Sequence, residues 1–277
     1  MTDRKKAIEK GEAKIPTGIR SIDLAVSGGL PTGSLSILSG ASGSGIDSFF
    51  HTTCFMNAAK KEGILKTPQE ENTFLPDNII YILLSKTEND VLRDINVAYS
   101  DDLVEAFKEV VQFKDLMSDQ YSSSLSSLDS VSESSSEDEQ GIEVVRSIID
   151  YLEENGQNSL IVLDSLDDLI RGFASGSERK LLDSLKTLRS RNRKDWNSLI
   201  FARLTEGIFP DSVENSIFSL ADGVFEFSSK SSSGSRTRKI VCEKFSGVTS
   251  GDLLDSNFEF EVANSGLEAR RTTSLNI

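Results

Sequence analysis

Short, uninterrupted apolar segments alternate with longer amphipathic ones over the first two thirds of the chain. The apolar segments predict strands that are covered on both faces, as in a parallel sheet, and they lie at 35–39, 79–84, 159–164 and 199–204. The amphipathic segments predict helices at 46–60, after Thr87, at 141–155, after Glu178 and at 211–220. This alternation favours an α/β fold in which a largely parallel, twisted sheet is flanked by helices.

The periodicity changes after residue 222. Three strands follow one another directly at 223–228, 238–245 and 258–262, with turn residues at 231–235 between the first two. Another strand is predicted earlier in the chain, at 110–113. Consecutive strands joined by short turns pair in antiparallel fashion. We therefore expect antiparallel strands at the C-terminal end of the sheet.

The domain organisation follows from shifts in composition. Residues 1–14 are charged and predict a flexible arm, residues 15–264 predict a single domain, and residues 265–277 predict a polar tail. Within the domain, residues 118–140 are rich in Ser, Asp and Glu and contain few large apolar side chains. Such a segment buries too little surface to offset the entropy of ordering, so we expect a disordered insertion. It is either a solvated acidic loop or a segment that binds a partner or is tuned by phosphorylation.

Charge and hydropathy restrict the setting of the protein. The chain of 277 residues carries a formal net charge of −14. This charge argues against duplex nucleic acid as a partner and would be ordinary in a high-salt cytoplasm. Apolar stretches are too short to span a bilayer, and the first 14 residues lack the apolar centre of a signal peptide. We therefore expect a soluble, cytoplasmic protein with no membrane partner.

Few residue types suited to metal or nucleophilic chemistry occur in a useful pattern. Cys54 and Cys242 lie far apart, in a predicted helix and a predicted strand, and are expected to be buried thiols. The single histidine, His51, is more typical of a packing or surface residue than of a ligand. The sequence therefore predicts neither a zinc site nor a Ser/His/Asp triad.

Residues 34–50 carry the most specific signal in the chain. An apolar strand leads into a glycine-rich turn, and the turn leads into a helix, which is the layout of a phosphate-binding P-loop. The pattern G-x-x-x-x-G-K-[ST] aligns with GASGSGID at 40–47. The two framing glycines are present, but Ile46 replaces the lysine and Asp47 replaces the hydroxyl residue that contacts Mg²⁺. The candidate nucleotide-binding residues are Gly40, Ala41, Ser42, Gly43, Ser44, Gly45, Ile46, Asp47 and Ser48.

These two replacements work against phosphate chemistry. An aspartate next to phosphate oxygens adds a repulsion of about 1–4 kcal/mol at ~4 Å, depending on the effective dielectric constant. Ser48 lies one residue too late and could replace the missing hydroxyl only after a shift in register. The simplest alternative is that the glycines form only a tight turn between strand and helix.

Four segments together resemble the RecA-like P-loop ATPases of the KaiC type. They are IPTGIRSIDLAVSGGLPTGSLSILSG at 15–40, the glycine loop, SLIVLDSLDDL at 159–169, and LADGVFEF with KIVCEKFSG at 220–227 and 239–247. The first is similar to the lead-in of that family, the third to its Walker B strand and the last to its closing strands. The degenerate loop with FFHTTCFMNAAK behind it also resembles KaiC-like proteins of salt-loving archaea.

The resemblance implies ATP and Mg²⁺ as cofactors, with Asp164 holding Mg²⁺ through water at the end of its strand. The sequence also allows Asp164 simply to cap the turn before Leu166. The family places a glutamate after its second strand to polarise the attacking water. This chain has Ser85 and Lys86 at that position, and the nearest glutamate is Glu88. The departures imply weak or absent hydrolysis, as in a pseudo-ATPase, because phosphoryl transfer depends on positioned charge.

Lys86 is the one candidate for a catalytic replacement. It would emerge at the same edge of the sheet as the loop and could supply the positive charge that is missing at position 46; the alternative is a solvated or structural lysine. In relatives, basic residues of the late strands reach the nucleotide of a neighbouring subunit. The comparable residues here could equally pair with Glu243 and Glu259 across strands; they are Arg236, Arg238, Lys239 and Lys244.

Three functions remain open at this point. The first is a regulatory or signalling protein that works through a protein partner or through self-association, as the ring-forming relatives imply. The second is an active ATPase with an unorthodox site. The third is a recombinase-like DNA-binding module that uses the basic residues at 186–194.

Overall fold

The computed structural model describes residues 3–66, 70–116, 137–173, 177–232, 235–246 and 257–272. Within these ranges the strands are β1 (Lys14–Ile15), β2 (Leu30–Pro31), β3 (Ser34–Gly40), β4 (Ile79–Leu83), β5 (Val111–Asp115), β6 (Leu160–Asp164), β7 (Leu199–Thr205), β8 (Gly223–Ser232), β9 (Ser235–Phe245), β10 (Asn257–Ala263) and β11 (Gly266–Thr272). The helices are α1 (Asp3–Lys10), α2 (Arg20–Ala25), α3 (Ile46–Lys61), α4 (Glu88–Ala98), α5 (Asp101–Val110), α6 (Glu137–Asn155), α7 (Leu166–Arg171), α8 (Glu178–Arg191) and α9 (Asp211–Leu220), with a π-helical turn at Asn192–Trp196.

One large sheet organises the described part of the chain. Its nine strands lie in the order β11-β10-β9-β8-β3-β7-β6-β4-β5, and β1 pairs with β2 in a separate ribbon. The strands from β8 through β3 to β5 run parallel, whereas β8, β9, β10 and β11 pair in antiparallel fashion. The predicted fold class, a largely parallel sheet with antiparallel strands at the C-terminal end, is confirmed.

Two hydrophobic layers cover the two faces of this sheet. Alternate residues of a strand point to opposite faces, so Leu38 of β3 packs on the side of α3, and Ile37 packs on the side of α6 and α8. The central strands are apolar on both faces because helices cover both. Parallel strands also bring their carboxyl ends to one edge, and this edge is where the glycine loop leaves β3.

The lead-in segment before β3 is fixed by one partly buried carboxylate. Asp23 of α2 accepts hydrogen bonds from the Thr17 backbone at 2.7 Å, the Thr17 hydroxyl at 2.7 Å and the Gly18 backbone at 3.0 Å. Burial raises the pKa of Asp23 to about 6 in spite of these donors. The Pro-Thr-Gly turn and the Asp-Leu pair of the sequence motif are therefore one local unit.

Several sequence-based predictions need correction. Residues 3–10 of the expected flexible arm form α1, and residues 266–272 of the expected polar tail form β11, which pairs with β10. Helices α5 and α7 were not predicted. Most of the expected disordered insertion, 118–136, lies outside the described residues, and its last four residues belong to α6. None of the described helices is long and apolar enough to cross a membrane.

Candidate functional site

The glycine loop joins β3 to α3 in the predicted strand–loop–helix arrangement. Gly43 and Gly45 have φ values of 76° and 113°, a region that side chains with a Cβ rarely adopt. Gly40 has a different requirement, since a Cβ there would lie 2.4 Å from the carbonyl oxygen of Phe227. The loop therefore requires glycine for both backbone conformation and close packing.

The helix that follows the loop begins without a side-chain cap. Its N-cap residue is Gly45, which makes no side-chain capping hydrogen bond. The first amides of any α-helix have no acceptor within the helix, so those of Ile46, Asp47 and Ser48 remain available to an anion. Ala41 and Ser42 are exposed, which leaves the outer side of the loop open to solvent.

Asp47 of α3 is held between two cations. Its Oδ1 atom lies 2.6 Å from Nζ of Lys86 and 2.5 Å from Nη2 of Arg203. Burial alone would raise the pKa of Asp47, but Arg203 and Lys86 outweigh it and hold that pKa well below its usual range. The repulsion that Asp47 would exert on an anion is therefore largely compensated within the protein.

Asp164 lies fully buried at the carboxyl end of β6. Its Oδ2 atom accepts a hydrogen bond of 3.3 Å from the Tyr81 hydroxyl, and its Oδ1 atom lies 3.2 Å from Nε of Arg203. The Nε contact is an ion pair without hydrogen-bond alignment. Burial raises the pKa of Asp164, and the nearby cations oppose that shift. The N-cap residue of α7, which begins at Leu166, is Ser165, and the side chain of Asp164 contacts Tyr81 and Arg203.

Arg203 is the residue that joins the two carboxylates. It lies on β7 next to β6, one residue beyond Ala202, which pairs with Leu163. Its side chain is 15% exposed and its guanidinium carbon lies 5.7 Å from the centre of the Phe50 ring. Burial alone would lower the pKa of Arg203, but Asp164 and Asp47 raise it further above its ordinary value, so the side chain stays charged.

The Mg²⁺ that the resemblance implies does not fit this arrangement. Mg²⁺ requires oxygen ligands in near-octahedral geometry, and the carboxylates of Asp164 and Asp47 already face a guanidinium and an ammonium group. No cluster of three or more His, Cys, Asp or Glu side chains suited to a metal occurs in the described part of the chain.

The remaining candidate residues take other positions. Ile46 is 4% exposed and belongs to the hydrophobic layer between the sheet and α3, so it does not face the loop as the replaced lysine would. The side chain of Ser48 bonds to Tyr99. Glu88 is exposed in the first turn of α4, which Thr87 caps as predicted. Lys86 does lie beside the loop, where it pairs with Asp47.

Three of the four basic residues singled out on the late strands bond to groups of the same chain, whereas the buried Nε atom of Arg238 has no hydrogen-bond partner among the described residues. Arg236 donates to the carbonyl oxygen of Gly43 at 2.8 Å, so the β8–β9 hairpin reaches the glycine loop. Lys239 pairs with Glu259 across strands at 3.2 Å, and Lys244 donates to carbonyls at the end of α9. The cross-strand interpretation is therefore confirmed for Lys239.

The basic residues at 186–194 are also largely paired. Lys186 lies 3.1 Å from Asp183, and Arg191 lies 3.3 Å from Asp195. Arg189 and Arg193 both bind Asp222. These contacts use the positive charge that a DNA-binding surface would need for phosphates.

His51 lies one turn behind the loop and is 5% exposed, with its ring edge-on to Tyr99 at 5.9 Å. Burial lowers its pKa to about 4; Asp47 opposes this shift, and Lys86 and Arg203 add to it. The folded pKa is therefore below the unfolded one. His51 contributes stability that is present above pH 6.5 and is lost as the pH falls through 4.

We expect the single imidazole NMR signal to titrate with a pKa of about 4. We also expect the wild type to lose about 3 kcal/mol more stability than His51→Leu between neutral pH and pH 4. Urea unfolding at the two pH values measures the difference. A ring that titrates near 6.5, or equal losses in the two proteins, would contradict the buried neutral state.

Arg203 and Tyr81 were not among the residues singled out from the sequence. Arg203 interrupts the apolar strand LIFARLT on the same face as Phe201, two residues before it. A charge at the inward face of a buried strand requires a partner. That rule, applied at the carboxyl end of β7, is the signal that could have identified Arg203.

No protein-family profile and no curated protein sequence matches the chain. Solved structures do match. The KaiC-like protein PH0186 from the hyperthermophilic archaeon Pyrococcus horikoshii OT3 superposes with a TM-score of 0.63 at 16% identity, covering 93% of this chain and 98% of that one. The flagellar accessory protein FlaH from Methanocaldococcus jannaschii superposes with a TM-score of 0.63 at 15% identity, with coverages of 93% and 98%. At this level of identity the similarity establishes the fold alone, which is RecA-like.

Proposed function

We propose that this chain is a KaiC-type, RecA-like protein with a degenerate nucleotide site, and that it acts by regulation or signalling instead of ATP turnover. The fold supports the membership, since KaiC-like PH0186 and FlaH superpose over nearly its whole length. The glycine loop, the buried Asp164 and the neighbouring β4 and β7 ends lie together at one edge of the sheet. The scaffold of a P-loop site is therefore retained.

The observation that carries the proposal is the position of Arg203. Its guanidinium contacts Asp47 at 2.5 Å and Asp164 at 3.2 Å, so the acid at the end of β6 is already paired. Catalysis of phosphoryl transfer consists almost entirely of positioning and charge stabilisation. A site whose acids and cations neutralise one another has little charge left for the transferring phosphoryl group.

The glycine loop also lacks a free positive charge to bind the phosphates. Ile46 is buried at the position of the phosphate lysine, and Lys86, which lies nearest, is engaged by Asp47. Near Gly40, Glu206 follows β7; its backbone N–H donates to the Gly40 carbonyl at 3.3 Å, and the residue is exposed. Nucleotide can thus be bound weakly through loop amides while its hydrolysis is not supported.

The proposal is tested by ATP turnover in the purified chain. With ATP and Mg²⁺ we expect phosphate release no faster than in the Asp164→Asn variant, because Asp164 is not free to act on a metal. Binding of ATP is measured separately by calorimetry. Turnover at rates of about 1 s⁻¹ or more, within the usual range for enzymes, that is lost in Asp164→Asn would establish the unorthodox ATPase instead.

Partners follow from the same proposal. A protein that no longer uses ATP turnover would act through contacts with another protein or with further copies of itself. DNA is a weaker candidate because the basic residues at 186–194 are largely paired with acids and the net charge is −14. Light scattering of the purified chain distinguishes self-association from a monomer that needs another partner.

A further inference from the structure

We infer that the guanidinium of Arg203 takes the place that a divalent metal ion would occupy between Asp47 and Asp164. The site is then built to operate without a metal, and its resident cation is part of the polypeptide. This inference concerns the same site as the proposed function and rests on the degenerate loop described there. It identifies Arg203 as the cation of that site, whereas the proposed loss of hydrolysis does not by itself identify any cation.

The first support is the geometry of the two carboxylates. Asp47 belongs to the first turn of α3, at the position of the metal-contacting hydroxyl, and Asp164 ends β6 at the position of the acid. Both lie within ion-pair distance of one guanidinium, at 2.5 Å and 3.2 Å. Arg203 therefore connects the two positions that a metal ion would connect in the intact motif.

The second support is the local charge. Asp47 and Asp164 contribute two negative charges, and Arg203 and Lys86 contribute two positive ones. Carboxylate sites attract divalent ions through uncompensated negative charge. With the charge balanced inside the protein, a divalent ion gains little from entering and would meet a guanidinium at short range.

The third support is the burial of the ion pair between Arg203 and Asp164. Asp164 is 0% exposed and Tyr81 donates to it, while the Phe50 ring lies against the guanidinium. Removing one partner of a buried ion pair leaves an uncompensated charge behind. An incoming metal ion would have to displace Arg203 at that cost before it reached Asp164.

Binding of Mn²⁺, followed by calorimetry and by its paramagnetic signal, tests the inference. The wild type is expected to show no saturable Mn²⁺ site that depends on Asp164. In Arg203→Met the two carboxylates lose their shared cation, and we expect Mn²⁺ affinity to rise by a factor of about ten or more. We also expect Mn²⁺ to raise the melting temperature of this variant and to leave that of the wild type unchanged.

Three variants locate the effect. Arg203→Lys keeps a positive charge and should not gain affinity. Arg203→Met combined with Asp164→Asn should lose the gain. Arg193→Met removes an arginine that binds a different buried acid, Asp222, and should behave like the wild type. Affinity in Arg203→Met no higher than in Arg193→Met would overturn the inference.

If Arg203→Met does not fold, a comparison of the wild type with Asp164→Asn still tests the inference. Saturable Mn²⁺ binding by the wild type that disappears in Asp164→Asn would overturn the inference, whereas its absence would support it. The two proposals can fail separately. ATP turnover that persists in EDTA would reject the regulatory function but would leave the inference about Arg203 standing. Metal binding at Asp164 without ATP turnover would reject the inference about Arg203 but would leave the regulatory function standing.

Discussion

Replacing Asp222 with alanine is expected to lower the free energy of unfolding by about 3–4 kcal/mol. Asp222 is 1% exposed and accepts a hydrogen bond of 3.0 Å from the backbone of Leu35, at the start of the central strand β3. It also binds Arg189 at 2.5 Å and Arg193 at 2.8 Å. The alanine variant leaves a buried N–H group without an acceptor and two cations without their anion. The loss falls in the lower part of the range for buried charges because both arginines are partly exposed.

Denaturant unfolding of Asp222→Ala beside Asp183→Ala measures this effect. Asp183 is also an aspartate paired with basic side chains, including Lys186 at 3.1 Å, but it is largely exposed. An exposed pair of this kind contributes about 0–1 kcal/mol. Similar losses in the two variants would show that burial of Asp222 does not determine its contribution.

Replacing Phe49 with alanine is expected to cost about 3–5 kcal/mol, the range for removing a fully buried aromatic side chain. Phe49 lies on α3 directly behind the glycine loop and is 0% exposed. Its ring packs edge-on against Phe201 of β7 at 5.2 Å and Phe227 of β8 at 5.6 Å. The change removes the side chain that holds the helix of the loop against two strands.

Phe49→Leu is the graded control for this prediction. Leucine keeps much of the apolar volume, so its loss should be clearly smaller than that of alanine. Val97→Ala, at a side chain that is 86% exposed, should change stability by less than about 0.5 kcal/mol. Thermal unfolding of the three variants under one set of conditions gives the comparison, and equal losses at Phe49 would contradict a packed interface there.

The apolar strands were the most predictable part of the fold. Segments such as IIYILL are continuous in hydrophobicity because helices cover the sheet on both faces, and this requirement is local enough to be seen in the sequence. Thr87 is a second local case, since the capping box with Asp90 depends on two residues three positions apart.

Elements with charged sequences were missed for the opposite reason. Strand β11 has the sequence GLEARRT and helix α1 has the sequence DRKKAIEK, and neither has an apolar pattern strong enough to predict an element. Their structure depends on tertiary contacts: β11 pairs along its length with β10, and Arg4 of α1 binds Asp77 at 2.5 Å. Contacts between residues so distant in sequence have no signature in a local window.

Some features of the candidate site were likewise predictable from the sequence, and others were not. The glycine loop, the substitutions at Ile46 and Asp47, and Asp164 at the end of a strand were all evident from short segments. The contact between Arg203 and Asp47 joins residues 156 positions apart, so only the fold reveals it. This contact places one guanidinium within ion-pair distance of both Asp47 and Asp164, which no short segment of the sequence could indicate.

The last strand has a consequence for how copies of this chain can assemble. The outer border of β11 is partly sealed by its own helices: the Leu267 amide donates to the Thr52 hydroxyl at 2.8 Å, and the Ala269 carbonyl accepts from the Ser21 hydroxyl. A border whose amide and carbonyl groups are engaged is a poor template for adding a strand from another molecule. Sheets of separate copies are therefore not expected to join readily into one continuous ribbon along the segment of β11 between Leu267 and Ala269.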